Sequence, residues 1–145
     1  MAKGLLQVQE AISFTEEKAE QWKARKAFCC DIWLKVSKEQ LWQLQVKNVA
    51  CDVPPAELSY FIGSSYQRQG FASETISAIL RIAFAELDFM RVFVRIIPSN
   101  QHSLLLAKKL GFKHEGLHRN EFRCGFGELH DVHHFLLTID DYRCL

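Results

Sequence analysis

Apolar residues recur along this chain in two periods, and the change from one to the other lays out its elements. Phe28, Cys30, Ile32, Leu34 and Val36 take alternate positions, which puts them on one face of a strand over Phe28–Val36. After the polar turn Ser37-Lys38-Glu39-Gln40 the alternation resumes over Leu41–Val49, so the two runs read as a β-hairpin. Asp52-Val53-Pro54-Pro55 interrupts the chain, and Glu57–Ile62 reads as a third strand ending at Gly63. The period then lengthens. Ile76, Ile79, Leu80, Ala83, Phe84 and Leu87 form one continuous stripe at helical spacing. Arg91–Ile97 is a strand stopped by Pro98, and a short helix over Gln101–Leu110 is closed by Gly111. Phe112–Phe122 and Asp131–Thr138 read as two more strands joined by a turn at Gly125–Gly127. Near the start, Ser13 followed by Glu16 is a capping box. Phe14, Ala19 and Trp22 then follow at rough helical spacing, so a helix is expected from Ser13 to about Ala27. The sum is a single α+β domain spanning residues 1–145, with strand–helix–strand units in its second half.

Composition narrows the class. Apolar residues make up 48% and charged residues 24%, as in an ordinary folded domain. Eighteen Lys and Arg against 17 Asp and Glu leave +1, without blocks of like charge, which argues against nucleic acid and anionic lipid as partners. The five cysteines include no C-x-x-C pair, and Cys29 and Cys30 are adjacent, so reduced thiols in a cytoplasmic protein are expected. No secretory h-region opens the sequence, and Arg81, Glu74 and Glu86 exclude the most apolar helix as a membrane span.

The chemistry concentrates between the third strand and the amphipathic helix, at Tyr66-Gln67-Arg68-Gln69-Gly70-Phe71-Ala72-Ser73-Glu74. First-turn N–H groups converge there and the helix dipole favours an anion, while Gly70 lets the backbone approach closely and Ala72 keeps the space open. On spacing alone, an ordinary strand–helix turn accounts for it equally well. However, Gln67-x-x-Gly70-x-Ala72 resembles the pyrophosphate signature of the GNAT N-acetyltransferase superfamily. More closely, the chain looks like its RimJ/RimL branch, the ribosomal-protein N-terminal acetyltransferase type. The resemblance continues through Glu57–Gly63, Asn100-Gln101-His102-Ser103, Leu110-Gly111-Phe112, Glu115-Gly116 and His130-Asp131-Val132, and covers roughly residues 28 to 140.

This resemblance implies a mixed, mostly antiparallel sheet flanked by helices, with acetyl-CoA in a wedge where Glu57–Ile62 and Arg91–Ile97 splay apart. Gln67, Arg68, Gln69, Gly70, Phe71, Ala72 and Ser73 would form the pyrophosphate loop. Phe61 and Ile62 would meet the pantetheine arm, and Asn100 would contact the cofactor or cap its helix. Ser103 occupies the position that protonates the departing thiolate, against the plainer reading of a helix-start serine bonded to nearby backbone. Glu57 is the general-base candidate, set against an edge carboxylate paired with a neighbouring Arg or Lys, and Glu121 is the alternative base. The implied reaction is acetyl transfer from acetyl-CoA to a primary amine such as a protein N-terminus, with no metal. The alternative is a degenerate module that binds CoA or a protein partner without turnover.

Cys124, His130, His133 and His134 invite a zinc site, but His133 and His134 point to opposite faces of a strand and cannot share one ion. Trp22, Trp33 and Trp42 are expected in the core or along the acceptor pocket. The family opens with a strand and helix before the helix placed at Ser13–Ala27, and only about a dozen residues precede Ser13. The first strand is therefore expected to be missing, leaving Phe28–Val36 as a bare edge suited to homodimer formation.

Overall fold

The computed structural model describes residues 16–35, 37–48, 53, 55–62 and 68–145. A helix at 16–23 (α1) is followed by the strands Ala27–Trp33 (β1), Gln40–Asn48 (β2) and Pro55–Ile62 (β3). Then come Phe71–Ala85 (α2), Arg91–Ile96 (β4), Gln101–Lys109 (α3), Lys113–Arg123 (β5), Leu129–Thr138 (β6) and Ile139–Arg143 (α4). The strands form one six-stranded sheet in the order β1-β2-β3-β4-β6-β5. All neighbours are antiparallel except β3 and β4. The architecture is α+β, with the mixed, mostly antiparallel sheet that the resemblance implies.

One hydrophobic cluster holds α2, α3 and α4 to one face of the sheet. Ile76, Leu80, Ala83 and Phe84 of α2 bury against Phe28, Leu44, Val46, Ala56, Leu58, Val92, Val94, Phe135 and Leu137. Ile79 and Leu87 pack at its margin. Each fully buried aliphatic side chain of this stripe contributes about 1.5–3 kcal/mol, enough in sum to fix the helix's rotation about its axis. Alternation then turns Glu57, Phe93 and Arg95 to the opposite face, where they meet one another or their neighbours on β5 and β6.

Several boundaries differ from expectation. Residues 13–15, with the serine of the capping box, lie outside the described residues, and α1 ends at residue 23 rather than near Ala27. There Arg25 N–H donates to the Trp22 carbonyl at 3.0 Å and Lys26 N–H to that of Gln21 at 2.9 Å, with Arg25 at φ 55. The end of α3 has the same two bonds, Gly111 to Lys108 and Phe112 to Ala107, with Gly111 at φ +85. A glycine advertised the second stop and an arginine hid the first. β1 also ends early, because the irregularity between Ile32 and Trp33 and the Leu34–Glu39 bond at 2.8 Å begin the turn. Val36 lies outside the described residues. Trp22 and Trp33, expected to be enclosed, are 48% and 57% exposed, and Trp22 meets Phe28 edge-on. Among the described residues no helix is long and apolar enough to cross a membrane.

Candidate active site

The register of β3 and β4 creates the central feature. They pair in parallel at Pro55–Arg91, Ala56–Val92 and Glu57–Phe93, and the pairing ends there although both strands continue. Each strand keeps its other partner: β2 follows β3 to Ile62, and β6 follows β4 to Ile96. The sheet therefore opens between them. A cleft of about 300 Å³ fills the opening, lined by Glu57, Tyr60, Arg95, Asn100, Ser103 and Phe122 among others. This is the wedge expected from Glu57–Ile62 and Arg91–Ile97. Phe61 and Ile62 continue β3 beyond Tyr60, their backbone paired on the β2 side to Gln43 and Trp42.

Because the opening passes through the sheet, the cleft has two chemically different sides. On the helix side stand Tyr60, Asn100 and Ser103. Asn100 is the N-cap of α3, its side chain accepting from the Ser103 N–H at 3.1 Å, and it also lines the cleft. Both expected roles of Asn100 fit one position. Burial pushes the Tyr60 phenol up from its ordinary pKa, and the Ser103 hydroxyl beside it works against the rise. Tyr60 was not singled out from the sequence. The signal was available in the β3 alternation, which places it with Ala56 and Leu58 on the helix-facing side.

The N-terminus of α2 adjoins this side. Gly70 is its N-cap at φ 85, a left-handed conformation that favours glycine, and no side chain caps the first turn. A Cβ built on Gly70 would meet nothing within 4 Å, so the backbone faces open space there. Arg68 (φ 64) reaches across, its guanidinium 3.1 Å from His102 Nε2 on α3, which ties the two helix starts together. Gln69 precedes the glycine, and Phe71, Ala72 and Ser73 form the first helical turn. Gln67 lies outside the described residues. What these residues can do chemically is receive an anion: a helix start without a side-chain cap, presented by a glycine, with a guanidinium beside it.

On the opposite side stands a charged network. Arg95 Nε donates to Glu57 Oε1 at 2.7 Å, and its Nη1 lies 3.6 Å from Glu121 Oε1. The other oxygen of Glu121 lies 2.5 Å from His134 Nε2 and 3.3 Å from His118 Nδ1, whose rings stack at 3.9 Å. Burial works against ionising Glu121, but the His134 hydrogen bond and the charges of His134, His118 and Arg95 hold its carboxyl below the usual value. Glu57 thus lines the cleft, as a base there would, and is at the same time half of an ion pair, as in the plainer reading. Arg95 was missed, although an arginine within the apolar run Val92–Ile97 is a legible irregularity. His133 turns the other way, to His114 at 3.0 Å, so the two adjacent histidines do diverge.

Comparison with known proteins agrees with this geometry. Residues 4–113 match the family described as the acetyltransferase (GNAT) domain. The uncharacterised N-acetyltransferase p20 of Bacillus licheniformis is 33% identical over 87 residues, 60% of this chain and 48% of that protein. The uncharacterised N-acetyltransferase YoaA of Bacillus subtilis (strain 168) is 29% identical over 112 residues, 77% of this chain and 63% of that one. The chain thus spans between about half and just under two-thirds of the length of these relatives. Among solved structures, spermidine N-acetyltransferase from Vibrio cholerae, in complex with CoA and spermine, superposes with a TM-score of 0.78 at 19% identity. That match covers 90% of this chain and 76% of the other. Ribosomal-protein-S5-alanine acetyltransferase from Vibrio fischeri gives 0.79 at 21% identity, covering 86% and 68%.

Proposed function

The chain belongs to the GNAT acetyltransferase family, and from that premise we propose that it transfers an acetyl group from acetyl-CoA to a primary amine. The observation that carries the reading is the opened sheet between β3 and β4, with a helix start lacking a side-chain cap on one side and a carboxylate network on the other. The loop from Gln67 to Ser73 takes the pyrophosphate, and the β3 backbone at Phe61 and Ile62 takes the pantetheine arm. The amine enters from the face that carries Glu57, Arg95 and Phe122. Attack of a neutral amine on a thioester needs positioning, removal of a proton and a leaving thiolate that is protonated, and side chains alone can supply these. Glu57 accepts the amine proton, with Glu121 as the alternative on β5, and Ser103 donates to the departing sulfur.

The acceptor we favour is a protein N-terminal amine, the substrate class of the RimJ/RimL branch that the motifs resemble. The charge arrangement supports one amine rather than a polycation, because both carboxylates on the acceptor side are already engaged by Arg95. That same engagement favours a second reading, a module that binds CoA without turnover. Release of free CoA thiol distinguishes them, measured with acetyl-CoA against peptides with free N-termini, polyamines and small amines. Turnover fastest with the peptides is expected. Turnover only with polyamines would overturn the acceptor, and binding of acetyl-CoA without thiol release from any amine would overturn the activity.

A further inference from the structure

The β5–β6 hairpin brings together three side chains that the acetyl-transfer reading leaves unused. Cys124 N–H donates to the Glu128 carbonyl and Gly127 N–H to that of Cys124, both at 2.9 Å, with Gly127 at φ 87, so the turn is tight. Phe122 pairs with His130 and Arg123 with Leu129. Counting by two along each strand then places Cys124, Glu128 and His130 on the same face. The side chains follow. His130 Nε2 lies 3.8 Å from Glu128 Oε2, and one ligand atom from each of the three lies within 4.8 Å of the others.

We propose that Cys124, Glu128 and His130 form a binding site for a zinc-class divalent cation at the tip of this hairpin. Bond lengths of about 2.0–2.3 Å around tetrahedral zinc place its ligand atoms roughly 3.3–3.8 Å apart, so the three groups need to close by little. A thiolate with an imidazole and one carboxylate selects the borderline-soft first-row ions over magnesium or calcium. Binding replaces the sulfur–hydrogen bond by a sulfur–metal bond and releases the proton to solvent, with water in the fourth position.

The pairing that Cys124, His130, His133 and His134 suggested from sequence fails at His133 and His134, and Glu128 takes the vacated place. A second group, His118, Glu121 and His134, also gathers three ligand atoms, but the Arg95 guanidinium lies 3.6 Å from its carboxylate and repels a cation there. Occupancy at the tip bears on the cleft, since the Phe122 ring lies 6.2 Å from that of His130 and lines the opening. The cation stiffens the strand that carries it.

The test uses the untagged chain, reduced and freed of metal. Zinc titrated in competition with a chromophoric chelator should bind at one equivalent, and cobalt should give a thiolate-to-cobalt charge-transfer band. Altering even a group that only supports a ligand costs about 10–100-fold in affinity, so Cys124→Ser and His130→Ala should each lose at least that much, and the serine variant also the band. Circular dichroism of the variants keeps folding separate from binding. No binding beyond the chelator's competition, or undiminished binding in Cys124→Ser, overturns the proposal. So does binding that survives His130→Ala but disappears in His134→Ala, which would put the cation at the other group.

Discussion

At the scale of single residues, the cleft asks for a proton at one place and an anion site at another. Ser103 lines the helix side of the cleft, where its hydroxyl can give a proton to a leaving thiolate. Ser103→Ala is therefore expected to lower kcat by about 10²-fold with little change in KM for acetyl-CoA. A loss of cofactor affinity with turnover intact would reassign Ser103 to binding. Gly70 separates conformation from charge. Its Cβ would meet open space, so Gly70→Ala should cost only the left-handed strain, about 1–2 kcal/mol of stability, and should still bind acetyl-CoA. Gly70→Asp puts a carboxylate where the pyrophosphate belongs. Acetyl-CoA at about a hundred times its dissociation constant should stabilise the parent by about 2.7 kcal/mol, and this shift should vanish in the aspartate variant. An unchanged shift would show that the loop is not the site. Glu121 sets an acid-side dependence. Its folded-state pKa is depressed, so its contribution to stability is fully present above the unfolded carboxylate range and is lost as pH falls through the folded value. Thermal melts against pH should show a shallower acid limb in Glu121→Gln than in the parent.

At the scale of elements, legibility followed the strength of the period. The α2 stripe was plain because six apolar positions agree with one helical face, and the β3 and β4 segments because proline and glycine bound them. Leu80, 2% exposed at the centre of that stripe, should cost about 2–5 kcal/mol as Leu80→Ala. What stayed hidden were features written in side-chain pairing rather than in period. The α1 stop uses Arg25 in a conformation glycine usually supplies, and the Glu57–Arg95–Glu121 chain joins three strands far apart in sequence. The cleft itself was legible only through resemblance, since no pattern of residues states that two parallel strands part after three pairs. The five-residue helix α4 was missed too, though Thr138 and Asp141 did signal it. Asp141 N–H donates to the Thr138 hydroxyl at 3.1 Å, while Thr138 donates to the Asp141 carboxylate at 2.9 Å. Thr138→Ala should therefore lower stability by about 1 kcal/mol, read as a fall in the denaturant midpoint without a change in slope. A midpoint within error of the parent's would mean that α4 is held instead by Tyr142, which stacks on Phe84.

At the scale of the molecule, the sheet order leaves β1 and β5 at the two edges of the described sheet, and their chemistry differs. β5 carries Lys113, Glu115, Arg119, Glu121 and Arg123, charges that discourage strand pairing with another chain. β1 reads Ala-Phe-Cys-Cys-Asp-Ile-Trp, with Asp31 its one charge, and Trp33 at its end is 57% exposed. A net charge of +1 over 145 residues adds no general repulsion. We propose self-association through β1 into a two-fold dimer, since a strand that pairs antiparallel with its own copy closes the assembly at two chains. Light scattering at micromolar concentration should then report about twice the chain mass. Trp33→Lys, which adds a charge at the exposed end of that edge, should return the protein to monomer while leaving the acetyl-CoA thermal shift intact. The cleft lies two strands away from β1, so dimer loss and cofactor binding are separable readouts. A parent that scatters as a monomer at that concentration would end the proposal. A dimer that persists in Trp33→Lys would move the interface to the sheet face on which Arg95 and Glu57 stand.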